Sequence, residues 1–389
     1  MEHKTYSMEF AGRNLSFEFG RYAEQAAGSV LVRYGDTAIL VSATISEKAR
    51  EGVDFFPLSV DYEEKLYAVG KIPGGFIKRE GRPTEKAVLT CRLIDRPLRP
   101  LFPQGMRNDV QIVATSLSVD TNNPPDIPAM LGSSMALSVS QIPWGGPTGS
   151  VLVGRVNKQL ILNPDEEQRA QSDLHLVVSG TKDAIMMVEA GANEISEEVM
   201  LEAIMFAHDA IRELVAFQET IVAEIGKPKA SYTKFGQNQE FNQKVRTSVG
   251  TRVADALEAA GDKTERQNLL DAIEGEVMAE MLSIGDVNAD ELHQVIKDVT
   301  SDAVRDRILR DGIRPDGRTP KQIRPIWVEV DDGGPADPSG SLRPILRTWP
   351  GSGLGPFLAE RACTLLGGHL EWEAVQPRGH RFRIVLQRG

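Results

Sequence analysis

The stretch "SVLVRYGDTAILVSATIS" (residues 29–46) leaves little freedom in how it folds. Two runs of β-branched and aliphatic residues are separated only by Gly35 and Asp36. Branched side chains favour a pleated strand, and a two-residue turn needs the positive φ that glycine adopts without steric cost, so the spacing predicts a hairpin. A lone hairpin is marginal in water, and further elements must cover its apolar face. Residues 109–120 ("DVQIVATSLSVD") are another strand candidate, and "GSVLVGRVNKQLILN" and "DLHLVVSGTKDAIMMVEA" read as a second hairpin set. Residues 129–141 are small and apolar, as a closely packed buried helix requires. Mixed strands and helices over roughly 225 residues predict one compact α+β domain.

Helix then takes over. Ser196 is a predicted N-cap, with Glu197 and Glu198 in the first turn, where the helix dipole favours anions. Val199, Ala203, Phe206, Ala210, Leu214 and Ile221 follow at helical spacing. "GKPKASYTKFG" (226–236) reads as a linker, and the polar, Ala/Leu/Glu-rich stretch after it reads as a small all-helical domain. Composition changes again near residue 327: from Asp331 to Gly389 there are seven arginines and no lysine, and three of the four tryptophans fall after residue 326. So abrupt a switch suggests a segment of different origin. The expected boundaries are 1–226, 237–311, 312–330 and 331–389.

With 389 residues, 41% hydrophobic and 25% charged, the composition is that of a globular chain with a sizeable core. No run approaches a membrane span, and the polar N-terminus lacks an apolar signal core. Two cysteines far apart, Cys91 and Cys363, suggest a reducing cytoplasm rather than a disulfide framework. No histidine–cysteine cluster has zinc-ligand spacing. A net charge of −11 argues against indiscriminate coating of nucleic acid. Yet Lys65–Arg107 holds ten basic residues and three acids, a local +7. A focused basic region on an acidic body can hold a polyanion in one place.

That region contains "PGGFIKREGRP" (73–83). Glycine and proline punctuation excludes a core element and leaves an apolar pair beside cations. Phe76 could stack on an unpaired base while Lys78, Arg79 and Arg82 neutralise phosphates. Just downstream, Arg92, Arg96 and Arg99 recur at i, i+4 and i+7, one face of a helix that Pro97 shortens or kinks. Guanidinium forks suit phosphate; the alternative is that Asp95 and nearby acids pair with them structurally.

The stretch "FFPLSVDYEEKLYAVGKIPGGFIKREGRPTEKAVLTCRLIDRPLRPLFPQG" resembles the first core domain of bacterial polynucleotide phosphorylase. The resemblance runs from residue 1 to about 327, through "EAGANEISEEVMLEAI" and "DGIRPDGRTPKQIRPI". It implies an RNase PH-like (ribosomal protein S5 domain 2-like) α+β core followed by an all-α domain. It implies a homotrimeric cytoplasmic enzyme of RNA-degradation assemblies, with no membrane partner, which uses inorganic phosphate and Mg2+ to degrade single-stranded RNA from the 3′ end to nucleoside diphosphates. Where the family's channel loop carries two aromatics and two arginines, this chain has Phe76, Ile77, Lys78 and Arg79. The family's catalytic signature, Glu-Asp-x-x-Gly-Asp-Met-Asp-Phe, lies in its second core domain. The first-domain counterpart here runs from Gln168 to Leu176 and keeps only the carboxylate of Asp173, with Arg169 and His175 at former carboxylate positions. The resemblance therefore assigns no catalytic or metal-binding residue to this chain.

Beyond "GIRPDGRTPKQIRPIWVEV" the pattern stops. The tail resembles the end of a histidine-kinase ATP-binding domain, a truncated α/β piece. The resemblance implies adenine contacts at Asp332 and Gly334 and triphosphate contacts at Gly351, Gly353 and Gly355, although the helix that carries the metal-binding asparagine is missing. Three readings result: the RNA-gripping part of a phosphorolytic nuclease, a catalytically silent RNA-binding or ring-assembly module, and, last, an ATP-binding kinase fragment.

Overall fold

The computed structural model describes residues 3–50, 53, 55–234, 239–259, 263–284 and 289–322 and, as backbone, 326–331, 369–374 and 380–386. The chain divides into two units, Met1–Gln237 and Asn238–Gly389.

The first unit opens with two antiparallel hairpins, β1 (Lys4–Phe10) with β2 (Arg13–Phe19) and β3 (Gly28–Tyr34) with β4 (Thr37–Ala49). Tyr34 pairs with Thr37 across the two-residue turn, and Gly35 has φ +57°, the left-handed conformation that the sequence required there. Then come β5 (Leu58–Glu63), α1 (Glu85–Leu98), β6 (Asn108–Ser118) and α2 (Asp126–Val139). The six strands form one sheet in the order β1-β2-β3-β4-β6-β5, antiparallel except for the β5–β6 pair.

The predicted small-residue helix is α2, and every residue from Ile127 to Val139 is buried. A helix apolar on all sides belongs between layers rather than on a surface. Its approach to the sheet is close: a Cβ on Gly132 would lie 2.6 Å from a Val41 methyl. On its other side lie β7 (Gly149–Val156), β8 (Gln159–Leu162), the short α3 (Glu166–Gln171), β9 (Leu174–Gly180), β10 (Ile185–Ala192) and the long α4 (Glu197–Ile225). Their strands form a second, antiparallel sheet in the order β10-β9-β7-β8. Ser196 caps α4 by accepting from Val199 N–H, as the sequence predicted.

A buried polar ring joins α2, α4 and the entry to β7. Ser134 Oγ donates to Gln218 Oε1 (2.7 Å), Gln218 Nε2 donates to the Thr148 carbonyl (2.9 Å), and Thr148 N–H donates back to Ser134 Oγ (2.9 Å). Gln218→Leu leaves the Ser134 hydroxyl and the Thr148 carbonyl buried without these partners. The expected cost is about 2–4 kcal/mol in urea unfolding; a loss under about 1 kcal/mol would show that the ring does not hold this contact together.

The second unit contains α5 (Gln239–Val249), α6 (Arg252–Ala259), α7 (Lys263–Ile284) and α8 (Ala289–Asp306), closed over a small core of Val245, Val249, Val253, Leu257, Val277, Leu292 and Ile296. Later strands β11 (Ile326–Asp331), β12 (His369–Ala374) and β13 (His380–Leu386) form a sheet with β13 in the middle. Its register puts Val328, Ile384 and Leu370 in one row and Glu329, Arg383 and Glu371 in the next. The boundary expected at 330 falls inside β11, whose partner strand is part of the tail. The nucleotide-contact candidates Asp332, Gly334, Gly351, Gly353 and Gly355 lie outside the described residues.

Candidate nucleic-acid interface

Residues 71–83 join a 3-10 turn, Leu66–Val69, to α1 without regular secondary structure. Gly70 closes the turn in the left-handed conformation (φ +70°), its N–H donating to the carbonyls of Leu66 and Tyr67. Two hydrogen bonds then close the base of the loop. Leu66 N–H donates to Glu80 Oε1 (3.0 Å), and Thr84 Oγ1 donates to Glu64 Oε2 (2.6 Å) while accepting from Ala87 N–H as the N-cap of α1. The chain between is a compact surface loop with its ends tied together.

At its tip, Lys78 N–H donates to the Gly75 carbonyl (3.1 Å), so Phe76 and Ile77 occupy the two corner positions of a turn. Phe76 is 102% exposed and Ile77 74%. Lys78 has φ +53°, a strained conformation for a residue with a side chain. A Cβ added at Gly74, Gly75 or Gly81 would meet nothing within 4 Å, so the loop stands clear of the body.

The carboxylates at the loop base are engaged with a backbone N–H and a hydroxyl rather than with the loop's cations. Among the described residues, Lys78, Arg79, Arg82 and Arg92 have no ion pair; nor do Lys71 and Lys86 of the same basic region. The predicted arginine stripe divides. Arg96 binds Glu189 of β10 (2.8 Å), and Arg99 clasps Asp95 with both Nε (2.9 Å) and Nη2 (2.8 Å) while donating to the carbonyls of Phe56 and Leu58. These two tie α1 to its neighbours, the structural alternative the sequence left open. Pro97 lies in the last turn of α1, so it ends the helix without kinking its middle; a 3-10 turn, Arg99–Leu101, follows.

The stretch that the resemblance sets against the catalytic signature, Gln168–Leu176, makes contacts of its own. Arg169 donates to the carbonyls of Pro164 (2.7 Å), Thr121 and Asn122, fastening two loops. Asp173 Oδ2 is paired with Arg155 at 3.0 Å, and its Oδ1 is buried with no partner. His175 is held below its ordinary pKa, chiefly by partial desolvation of its ring. Mg2+ seeks several hard oxygen ligands; one carboxylate already paired with a guanidinium beside a second arginine does not fit it. No group of three or more His, Cys, Asp or Glu side chains suited to a metal exists among the described residues. No helix among them is long and apolar enough to cross a membrane.

Sequence comparison supplies the family. The 3′ exoribonuclease family matches with its domain 1 over residues 11–143 and its domain 2 over 146–210, and the RNA binding domain of polyribonucleotide nucleotidyltransferase matches over 240–319. A polyribonucleotide nucleotidyltransferase of Heliobacterium modesticaldum is 56% identical over 327 residues, covering 84% of this chain and 46% of the relative. Those of Caldicellulosiruptor bescii and Clostridioides difficile are each 54% identical, covering 85% of this chain and 47% of the relative. The chain belongs to the polyribonucleotide nucleotidyltransferase family.

The core has the RNase PH-like α+β fold that the family matches imply. The solved structure of rice (Oryza sativa) Rrp46 aligns over 57% of this chain and 96% of its own, at 14% identity and a TM-score of 0.43. The chain spans about half the length of the curated relatives it matches. The match over 240–319 gave no nucleic-acid signal in the sequence: that stretch has one aromatic residue and more acids than bases.

Proposed function

We propose that this polyribonucleotide nucleotidyltransferase chain is the RNA-gripping part of a phosphorolytic 3′→5′ exoribonuclease whose bond-breaking residues belong to a second core domain. One observation carries the reading: a fully exposed aromatic at a turn corner adjoins cations that no carboxylate among the described residues neutralises. Unpaired bases offer flat faces to Phe76, and their phosphates offer charge to Lys78, Arg79, Arg82 and Arg92. Mg2+ and inorganic phosphate are expected to act at the second core domain, as are the 3′ end and the departing nucleoside diphosphate. The reading includes the homotrimeric ring, RNA-degradation assemblies and the cytoplasm, in keeping with the family and with the cysteine usage.

Stacking needs an unpaired base face, which a duplex hides. The chain is therefore expected to bind a single-stranded poly(A) oligonucleotide more tightly than a duplex of equal length, measured by fluorescence anisotropy at one salt concentration. Equal affinity for the two would remove the stacking contact and with it the proposal.

A further inference from the structure

The segment matching the family's RNA binding domain, 240–319, holds 11 Lys and Arg against 17 Asp and Glu, a net charge of −6. Most of those cations are already engaged. Lys244 pairs with Glu240 (3.0 Å), Arg246 with Asp302 (3.0 Å), Arg310 with Asp311 (2.8 Å), Arg318 with Asp316 (2.8 Å) and Arg252 with Glu276. Arg266, Arg307 and Arg314 donate to backbone carbonyls. Among the described residues only Lys263, Lys297 and Arg305 are exposed without an ion pair, at the start of α7, within α8 and at its end.

An arginine neutralised by its own carboxylate brings no net charge to a phosphate, and taking it from that carboxylate exchanges one contact for another. A phosphate track requires net positive charge, because the affinity comes from the counterions it releases. The second half of a single-strand grip is absent too. Phe241 is the one aromatic in this segment, and it packs partly buried against the helical core. The described residues of this segment offer neither a charge track nor a stacking platform.

We infer that the helical unit neutralises no RNA phosphate in this chain and that its acidic surface disfavours RNA there. Like charge lowers the occupancy of RNA along this unit, and salt weakens the effect. The inference rests on the reading that the chain binds single-stranded RNA.

The test is the salt dependence of binding to a labelled single-stranded poly(A) oligonucleotide. On single strands the slope of log affinity against log salt changes by about 0.7 for each phosphate neutralised. Replacing Lys78, Arg79, Arg82 and Arg92 with glutamine is expected to flatten the slope by about 2.8. Replacing Lys263, Lys297 and Arg305 with glutamine is expected to leave it unchanged, whereas three real contacts would remove about 2.1. Neutralising exposed acids, with Glu258→Gln, Asp271→Asn and Asp298→Asn together, is expected to tighten binding severalfold at low salt, with the gain shrinking as salt is added. A flatter slope in the helical-unit variant, no change in the loop variant, or no gain on removing acids would each overturn the inference. A parent chain with no measurable affinity for RNA would instead sink the functional reading beneath it.

Discussion

Incubated with poly(A), inorganic phosphate and magnesium, the purified chain is expected to release ADP at least about 10³-fold more slowly than a complete family member. Removing a single preorganised electrostatic contact from an active site costs about 10²–10³ in rate, and the described residues hold no metal-binding carboxylate cluster. Phosphorolysis of an RNA phosphodiester builds negative charge on the oxygens around the attacked phosphorus and on the leaving oxygen. A metal held by several carboxylates offsets that charge. On the family resemblance, Gln168, Arg169 and His175 fall opposite carboxylates of the catalytic signature, and Asp173 is committed to Arg155. Arg169 cannot swing in as a substitute cation without abandoning the carbonyls it binds in two loops. Restoring one carboxylate by His175→Asp should not rescue turnover, because a single added ligand does not make a magnesium site. ADP release near the rate of the complete enzyme would mean that bond-breaking groups operate in this chain, and the division of labour proposed above would fail.

The features legible in the sequence were those set by local chemistry. Gly35 and Asp36 fixed the β3–β4 hairpin because few residues accept that turn. The run 129–141 announced a buried helix because nothing in it needs water, and α2 lies over 126–139. Exposure of Phe76 followed from the glycines and prolines around it. What sequence could not supply was the partner of each arginine. Helical spacing puts Arg92, Arg96 and Arg99 together, but the acid that holds Arg96 is Glu189, which only the β9–β10 hairpin brings to α1. Asp95, four residues before Arg99, was visible, and that pairing was one of the two outcomes foreseen. The short α3 went unread: its signal is a capping box in which Asp165 accepts from Gln168 N–H while Gln168 Oε1 accepts from Asp165 N–H, two residues easily taken for loop polarity.

Phe76→Ala is expected to weaken binding of single-stranded RNA by about 5- to 150-fold, the 1–3 kcal/mol attributed to stacking one base on one ring. The salt slope should not move, since no charge is lost. Lys78→Ala with Arg79→Ala should behave differently, flattening the slope by about 1.4. Neither change should shift the melting temperature, because Phe76 is fully exposed and neither cation has an ion pair among the described residues. The same logic predicts a gain. Ile77 shares the turn corner with Phe76 and is itself 74% exposed, so Ile77→Phe adds a second ring at no packing cost. If a second base can reach it, affinity rises by a similar factor. A drop in melting temperature with Phe76→Ala would mean that the ring packs against the body, and unchanged affinity in both aromatic variants would take the loop out of the RNA path. The paired design matters because a general loss of folded protein would lower the affinity of every variant together, whereas stacking and charge separate cleanly: one changes the intercept of the salt plot and the other its slope.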